Sequence, residues 1–378
     1  MSLSVGHVLI IDNDYEILTR LWCLYDIHLA IKRKENGYKI DFYTAIINNL
    51  QSAVVGITDG FISSDLKHDA DKYFDRKTRR EGQFPVDFFK EVLQINVKTA
   101  STSSDMDKKF IRNIICNQQH IATPPESHEK YDTFNNVVAG FFFAASLERL
   151  LEEFFKADSL LSYDQLRSYL QILKESLSTD ISCVLSESSK DLADDLFSSL
   201  PSSLQTLYVK MESKNDLCKL SELLPNFEKM RELTINGAKL SLSSIRNICI
   251  CFNENSTMKL EKLSLIKCDL KNDALKVLFT ALNSNKYLKE LDLSANDLLF
   301  DFEHTEDMKK TIEILKETAV TKMNFTQIKL DCPYVLLNLN KRFRSMKINA
   351  KTFQTPKVRK NSYIIFFICS LLTLPLLF

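Results

Sequence analysis

Glycine is scarce in this chain, with seven residues among 378. Tight-turned β-structure draws heavily on glycine for left-handed backbone, so the low count favours helix over a many-turned all-β architecture. No G-x-x-x-x-G-K-S/T phrase occurs. The nearest glycine pair, Gly56-Ile-Thr-Asp-Gly60, has neither the spacing nor the lysine that would cradle phosphates. The six histidines form no H-E-x-x-H pair, and no serine stands in a G-x-S-x-G turn. The nine cysteines, an odd number, include no C-x-x-C pair, which points to reduced thiols. Residues 1–14 lack a basic segment and a long apolar run, so no secretory leader is read there and a cytoplasmic location is expected. These absences together point to a non-enzyme with no cofactor and no metal.

A phrase that returns five times dominates what is present. It reads Leu204-x-x-Leu207-x-Val209-x-Met211, Met230-x-x-Leu233-x-Ile235-x-x-Ala238-x-Leu240, Leu260-x-x-Leu263-x-Leu265-x-x-Cys268-x-Leu270, Leu288-x-x-Leu291-x-Leu293-x-x-Asn296-x-Leu298 and Val320-x-x-Met323-x-Phe325-x-x-Ile328-x-Leu330. The anchors Leu207, Leu233, Leu263, Leu291 and Met323 stand 26, 30, 28 and 32 residues apart, room for one short strand and one returning helix per unit. The helical half is legible in Leu275, Leu278, Phe279 and Leu282, and again in Ile245, Ile248 and Phe252. A five-residue strand with one apolar face cannot bury that face alone, so each unit needs its neighbour stacked on it. The array resembles the leucine-rich repeats of ribonuclease-inhibitor type.

Residues 1–200 read as mostly helical. Leu18, Leu21, Trp22, Tyr25 and Leu29 share one face between Tyr15 and Ala30, Asn36-Gly37 breaks the pattern, and Phe42 to Leu50 resumes it. A helix through Leu66, Ala70 and Tyr73-Phe74, a basic turn at Arg76-Lys77-Thr78-Arg79-Arg80 and a helix from Val86 to Leu93 suggest a winged-helix-like unit. Only Lys90 adds charge to its second helix, which argues against DNA reading. Asp65, Asp69, Asp71 and Asp75 lack the glycine and closing glutamate of a calcium loop and fit a solvated helix face. Cys249-Ile-Cys251 falls in an apolar helix pattern, one thiol expected inward and the other near the surface.

The run Tyr131-Asp132-Thr133-Phe134-Asn135-Asn136-Val137-Val138-Ala139-Gly140-Phe141-Phe142-Phe143-Ala144-Ala145 resembles a helical segment of the NACHT leucine-rich-repeat (NOD-like) receptors. That family's pattern is His-x-Thr-Phe-Gln-Glu-Phe-Phe-Ala-Ala. Thr133, Phe134 and Ala139 match it directly, and Val137, Val138 and Phe141 match in kind. Tyr131 replaces the histidine and Asn135-Asn136 the Gln-Glu pair. The resemblance covers the carboxyl-terminal part of such a receptor only, without its P-loop, and implies innate immune signalling.

The expected organisation is α+β: a helical unit at 1–57, a winged-helix-like unit at 58–125, a helical unit at 126–200 and an α/β leucine-rich-repeat solenoid at 201–331. A basic linker at 332–361 and a hydrophobic tail at 362–378 follow. No acidic residue follows Asp331, whereas Lys341, Arg342, Arg344, Lys347, Lys351, Lys357, Arg359 and Lys360 do. Cations beside an uncharged run of 17 residues fit a membrane anchor with the bulk of the chain facing the cytosol. The expected partner is a protein on the concave strands, at Thr206, Tyr208, Lys210, Glu232, Thr234, Asn236, Lys262, Ser264, Ile266, Glu290, Asp292, Ser294, Lys322, Asn324 and Thr326. That mixed polar surface suits a protein rather than nucleic acid. Two alternatives stand beside this scaffold or sensor reading: a tail-anchored leucine-rich-repeat membrane adaptor, and a fragment of a nucleotide-dependent switch whose ATPase part is missing.

Overall fold

A computed structural model describes residues 4–12, 14–34, 37–48, 51–58, 73–85, 87–118, 123–155, 162–252, 256–282, 285–296 and 327–329. The chain is a mixed α/β protein in which two separate sheets meet around one long helix.

The first sheet is built from β1 (Gly6–Ile11), β2 (Lys39–Asn48) and β3 (Gln51–Thr58), with α1 (Leu21–Lys34) crossing between β1 and β2. β1 and β2 are parallel, and β2 and β3 form an antiparallel hairpin. The helical reading of residues 42–50 is therefore corrected. Ile40, Phe42 and Thr44 are buried while Asp41 and Tyr43 are half-exposed, a period of two over a stretch rich in β-branched and aromatic residues. The helix expected from Tyr15 becomes regular only at Leu21, after a 3-10 turn at Glu16–Thr19.

Among the described residues four helices follow: α2 (Tyr73–Glu81), α3 (Asp87–Val92), α4 (Asp105–Cys116) and α5 (Glu129–Phe154). α3 meets the expectation for residues 86–93, whereas Leu66 and Ala70 lie outside the described residues. The basic run Arg76–Arg80 is not a turn but the body of α2. Lys77 Nζ lies 2.7 Å from Glu81 Oε1, one helical turn away, with both side chains at most 3% exposed. Arg80 Nη1 donates to the Gly56 carbonyl at 2.8 Å, tying α2 to β3. Lys77 and Arg80 thus tie α2 into the fold, which corrects the reading of this run as a basic turn.

The middle of α5 is apolar on every side, and every residue from Val137 to Ala144 is buried. A helix of that kind must be covered all round. Its first half enters a core with the small sheet, where the Phe142 ring lies 4.5 Å from Phe42 and 4.9 Å from Phe88, centroid to centroid. Its second half places Ala144, Leu147 and Leu151 in a second core with α6 (Tyr163–Glu175) and the large sheet. Gly140 lies one helical turn before Ala144, the first α5 residue of the second core. A Cβ there would come within 2.3 Å of Ser176 Cβ, just past the end of α6, so only glycine allows this approach. Among the described residues, α5 included, no helix is long and apolar enough to cross a membrane; residues 362–378 lie outside them.

The large sheet contains β4 (Asp180–Leu185), β5 (Thr206–Met211), β6 (Glu232–Asn236), β7 (Lys262–Ile266), β8 (Glu290–Asp292) and β9 (Gln327–Lys329), in sequence order and all parallel. Its crossovers carry α7 (Lys190–Ser198), α8 (Cys218–Leu223), α9 (Leu242–Ile250) and α10 (Asn272–Leu282). Leu207, Leu233, Leu263 and Leu291 stand in one register, as the returning phrase requires. Two expectations fail at the ends. β4 extends the sheet by a strand into the stretch read as helical, because Ile181, Cys183 and Leu185 alternate inward. At the far end Ile328, not Met323, pairs with Leu291. Ile328-x-Leu330 repeats the apolar spacing of Leu291-x-Leu293, so the fifth phrase offers two registers and the later one is taken.

Candidate functional site

The outward residues of the large sheet form columns across its strands. The first column holds Asp180, Thr206, Glu232, Lys262 and Glu290, the second Ser182, Tyr208, Thr234, Ser264 and Asp292, and the third Val184, Lys210, Asn236 and Ile266. Parallel pairing without slippage makes each column a straight row, since neighbouring strands lie about 4.8 Å apart. Ser294 follows β8 beyond the paired residues and remains half-buried.

In the first column Lys262 sits between two carboxylates, its Nζ 3.8 Å from Glu232 Oε2 and 3.7 Å from Glu290 Oε2. Burial raises the Glu232 carboxyl pKa, with Glu290 and Asp180 adding to the shift and Lys262 opposing it. All three ladder side chains keep access to solvent. In the second column only Ser182 is half-exposed. Tyr208, Thr234, Ser264 and Asp292 are all less than a tenth exposed, because short or flat side chains in mid-sheet lie between longer neighbours. Burial pushes the Tyr208 hydroxyl up to about 12. Asp292 Oδ1 accepts from the Ser294 backbone N–H at 3.0 Å and from its hydroxyl at 2.6 Å, closing the turn after β8. The available contact surface is thus narrower than the sequence suggested: the Glu232–Lys262–Glu290 row, with Lys210 and Asn236 beyond it. Lys322, Asn324 and Thr326 lie outside the described residues.

Compared with models of known protein families and with curated proteins, the sequence matches none. Chemistry at this surface must therefore be argued from its own residues.

Behind the strands, the slot occupied by Ala238, Cys268 and Asn296 in successive units turns the chain. Asn296 Oδ1 accepts from the N–H of Cys268 at 2.8 Å and of Leu270 at 3.3 Å. Its Nδ2 donates to the carbonyls of Leu265 at 2.7 Å and Leu293 at 2.8 Å. Cys268 Sγ donates to the Ile235 carbonyl at 3.4 Å. Gly237, Lys267 and Ala295, each directly before that slot, all take left-handed backbone. At Gly237 a Cβ would approach the Met211 carbonyl oxygen to 2.3 Å.

Burial pushes the thiols of Cys183, Cys249, Cys251 and Cys268 up to about 12, so they stay protonated. Cys249 and Cys251 are both buried, correcting the expectation that one would lie near the surface; Ile250, between them, is the exposed residue. Among the described residues no group of three His, Cys, Asp or Glu could hold a metal ion. Asp75 is exposed on α2, and Asp65, Asp69 and Asp71 lie outside those residues. Asp180, Ser182 and Val184 of β4 continue the columns and escaped sequence reasoning. Their signal was the alternation Ile181-x-Cys183-x-Leu185, which lacks the leucines of the later phrases.

Proposed function

We propose that this chain is a non-enzymatic scaffold or sensor that binds a protein partner through the outward face of its parallel sheet. The sheet is best understood as a leucine-rich-repeat solenoid of ribonuclease-inhibitor type. Strand order equals sequence order, each anchor leucine stands beside its counterpart, and an equivalent slot turns the chain in successive units. The observation that carries the functional reading is the row Glu232–Lys262–Glu290. Mixed charges held half-open on adjacent strands form a polar recognition surface for a folded partner, worth more in specificity than in affinity.

The resemblance of Tyr131–Ala145 to the NOD-like receptors supports placing the protein in innate immune signalling, as a relative of the carboxyl-terminal half of such a receptor. Residues 362–378, uncharged and preceded by eight cations, support a membrane-anchored form with the bulk of the chain facing the cytosol.

The test is proximity labelling by the full-length protein in cells, compared with an Asn236→Arg/Lys210→Glu variant whose melting profile matches the parent. Loss of a defined set of labelled proteins, about tenfold or more, is the expected result. An unchanged set would remove the sheet face from recognition.

A further inference from the structure

A second candidate site lies at the edge of the large sheet where its strands begin, away from the outward face. There the segments entering β4, β5 and β6 meet the end of α1 and the turn into β2. They enclose a cleft of about 430 Å³, lined among the described residues by Ile31, Lys34, Gly37, Leu177, Thr179, Ser203, Gln205, Lys229 and Arg231. This volume falls within the range of small-molecule sites.

The charge of this lining is one-sided: Lys34, Lys229 and Arg231 supply three cations, and no described lining residue is a carboxylate. Two neighbouring acids have partners of their own. Asp180 accepts a hydrogen bond from the Thr179 hydroxyl at 2.6 Å, and Glu232 lies beside Lys262 on the outward face. The cations are also positioned. Lys34 Nζ stands 4.2 Å from the centroid of the Phe141 ring on α5, and Arg231 Nη1 is held by the Lys259 carbonyl at 3.1 Å. Arg231 thereby keeps its remaining N–H groups for a ligand, in the planar fork that suits phosphate oxygens. Like charges brought together from separate parts of a chain repel, and low-dielectric walls focus their field on an anion entering between them.

We propose that this cleft binds a soluble small molecule carrying two or more phosphate groups. One phosphate would contact Arg231 and Lys229 at the sheet edge, and another Lys34 at the end of α1. The ligand would bridge the small-sheet part of the chain and the large sheet, so binding should raise the melting temperature of the whole molecule. The proposal does not depend on what the outward face binds.

Isothermal titration calorimetry of the full-length protein against inositol hexakisphosphate and against inorganic triphosphate, at physiological salt, is the direct experiment. Saturable binding by either is expected. Lys229→Glu/Arg231→Glu should weaken it at least about tenfold, and Lys229→Gln alone, at an exposed position, by a few-fold. A charge-matched control, Lys276→Glu/Lys286→Glu, should bind as the parent does. Absence of saturable binding by the parent, or equal weakening in the control, would overturn the proposal. So would uptake confined to vesicles bearing a bisphosphorylated inositol lipid and lost in Lys229→Glu/Arg231→Glu, because the anion would then be a lipid headgroup.

Discussion

The two sheets solve the same problem in different ways. In the large sheet every strand from β5 to β8 pairs in parallel with its neighbours and buries the same leucine position, and β5, β6 and β7 each return through a helix. Its outward face is mostly polar, and its inward face joins one continuous core from Ala144 to Leu293. The small sheet mixes a parallel with an antiparallel pairing, and its core comes from α1, α3, α4 and α5, which follow no repeat. Its outward face exposes Val8, Ile10 and Val54. Regularity lets stability spread over near-equivalent neighbours, whereas the small sheet depends on a few contacts made once, such as Phe42 with Phe142.

The comparison is broken most severely by a charge in the repeated core. Leu291 is 1% exposed between Leu263 and Ile328. Leu291→Asp should cost about 4 kcal/mol or more, enough to unfold the large sheet, because an unpaired carboxylate would be buried. If each sheet depends chiefly on its own core, near-ultraviolet signals from Trp22 and its neighbours Tyr25 and Phe110 should outlast the loss of the large sheet. Unchanged circular dichroism and melting would contradict the core assignment.

A smaller loss is expected from Asn296→Ala, which removes a side chain serving two N–H groups and two carbonyls. Leaving buried backbone groups unpaired should cost roughly 3 kcal/mol. Hydrogen exchange should accelerate first at the Cys268 and Leu270 amides. If exchange there stays slow, water replaces the amide and the slot is less demanding than its geometry implies.

The same contrast explains what the sequence disclosed. Leu207, Leu233, Leu263 and Leu291 were legible because repetition lets four weak patterns reinforce one another, and the columns of Tyr208, Lys210, Glu232 and Lys262 followed. β2 was not legible, because its apolar positions also fit a short helix and the deciding contacts, with β1 and Phe142, are distant in sequence. β9 was misplaced because a degenerate phrase fits two registers. The cleft was invisible for another reason: Lys34, Lys229 and Arg231 are separated by nearly 200 residues and carry no local motif.

Gly140 joins the two halves of α5, so substitution there tests how far the cores are coupled. Alanine would gain about 1 kcal/mol of helix propensity but must displace Ser176, at a cost of roughly 1 to 3 kcal/mol. A net destabilisation of about 1 kcal/mol is expected, with a single melting transition broadening or splitting in two. A net gain would mean that the end of α6 moves aside freely and the cores are only loosely joined.

The smallest effect concerns pH and should fall on the small-sheet side alone. His28 on α1 is buried against Phe134, with ring centroids 5.6 Å apart, and its Nε2 has no hydrogen-bond partner among the described residues. Burial, helped by the charge of Lys32, lowers its pKa to about 4, well below the ordinary imidazole value of about 6.5. The unfolded chain therefore takes up a proton more readily than the native one. Stability from the neutral ring is fully present above about pH 6.5 and drains away as pH falls towards 4. Between pH 7 and pH 6 the loss should be about 0.5 kcal/mol after allowing for partial solvent access. His28→Leu should flatten that part of the stability profile while leaving the large sheet's exchange rates unchanged. An equal pH slope in parent and variant would show that the ring titrates normally and that acid acts on the two sheets alike.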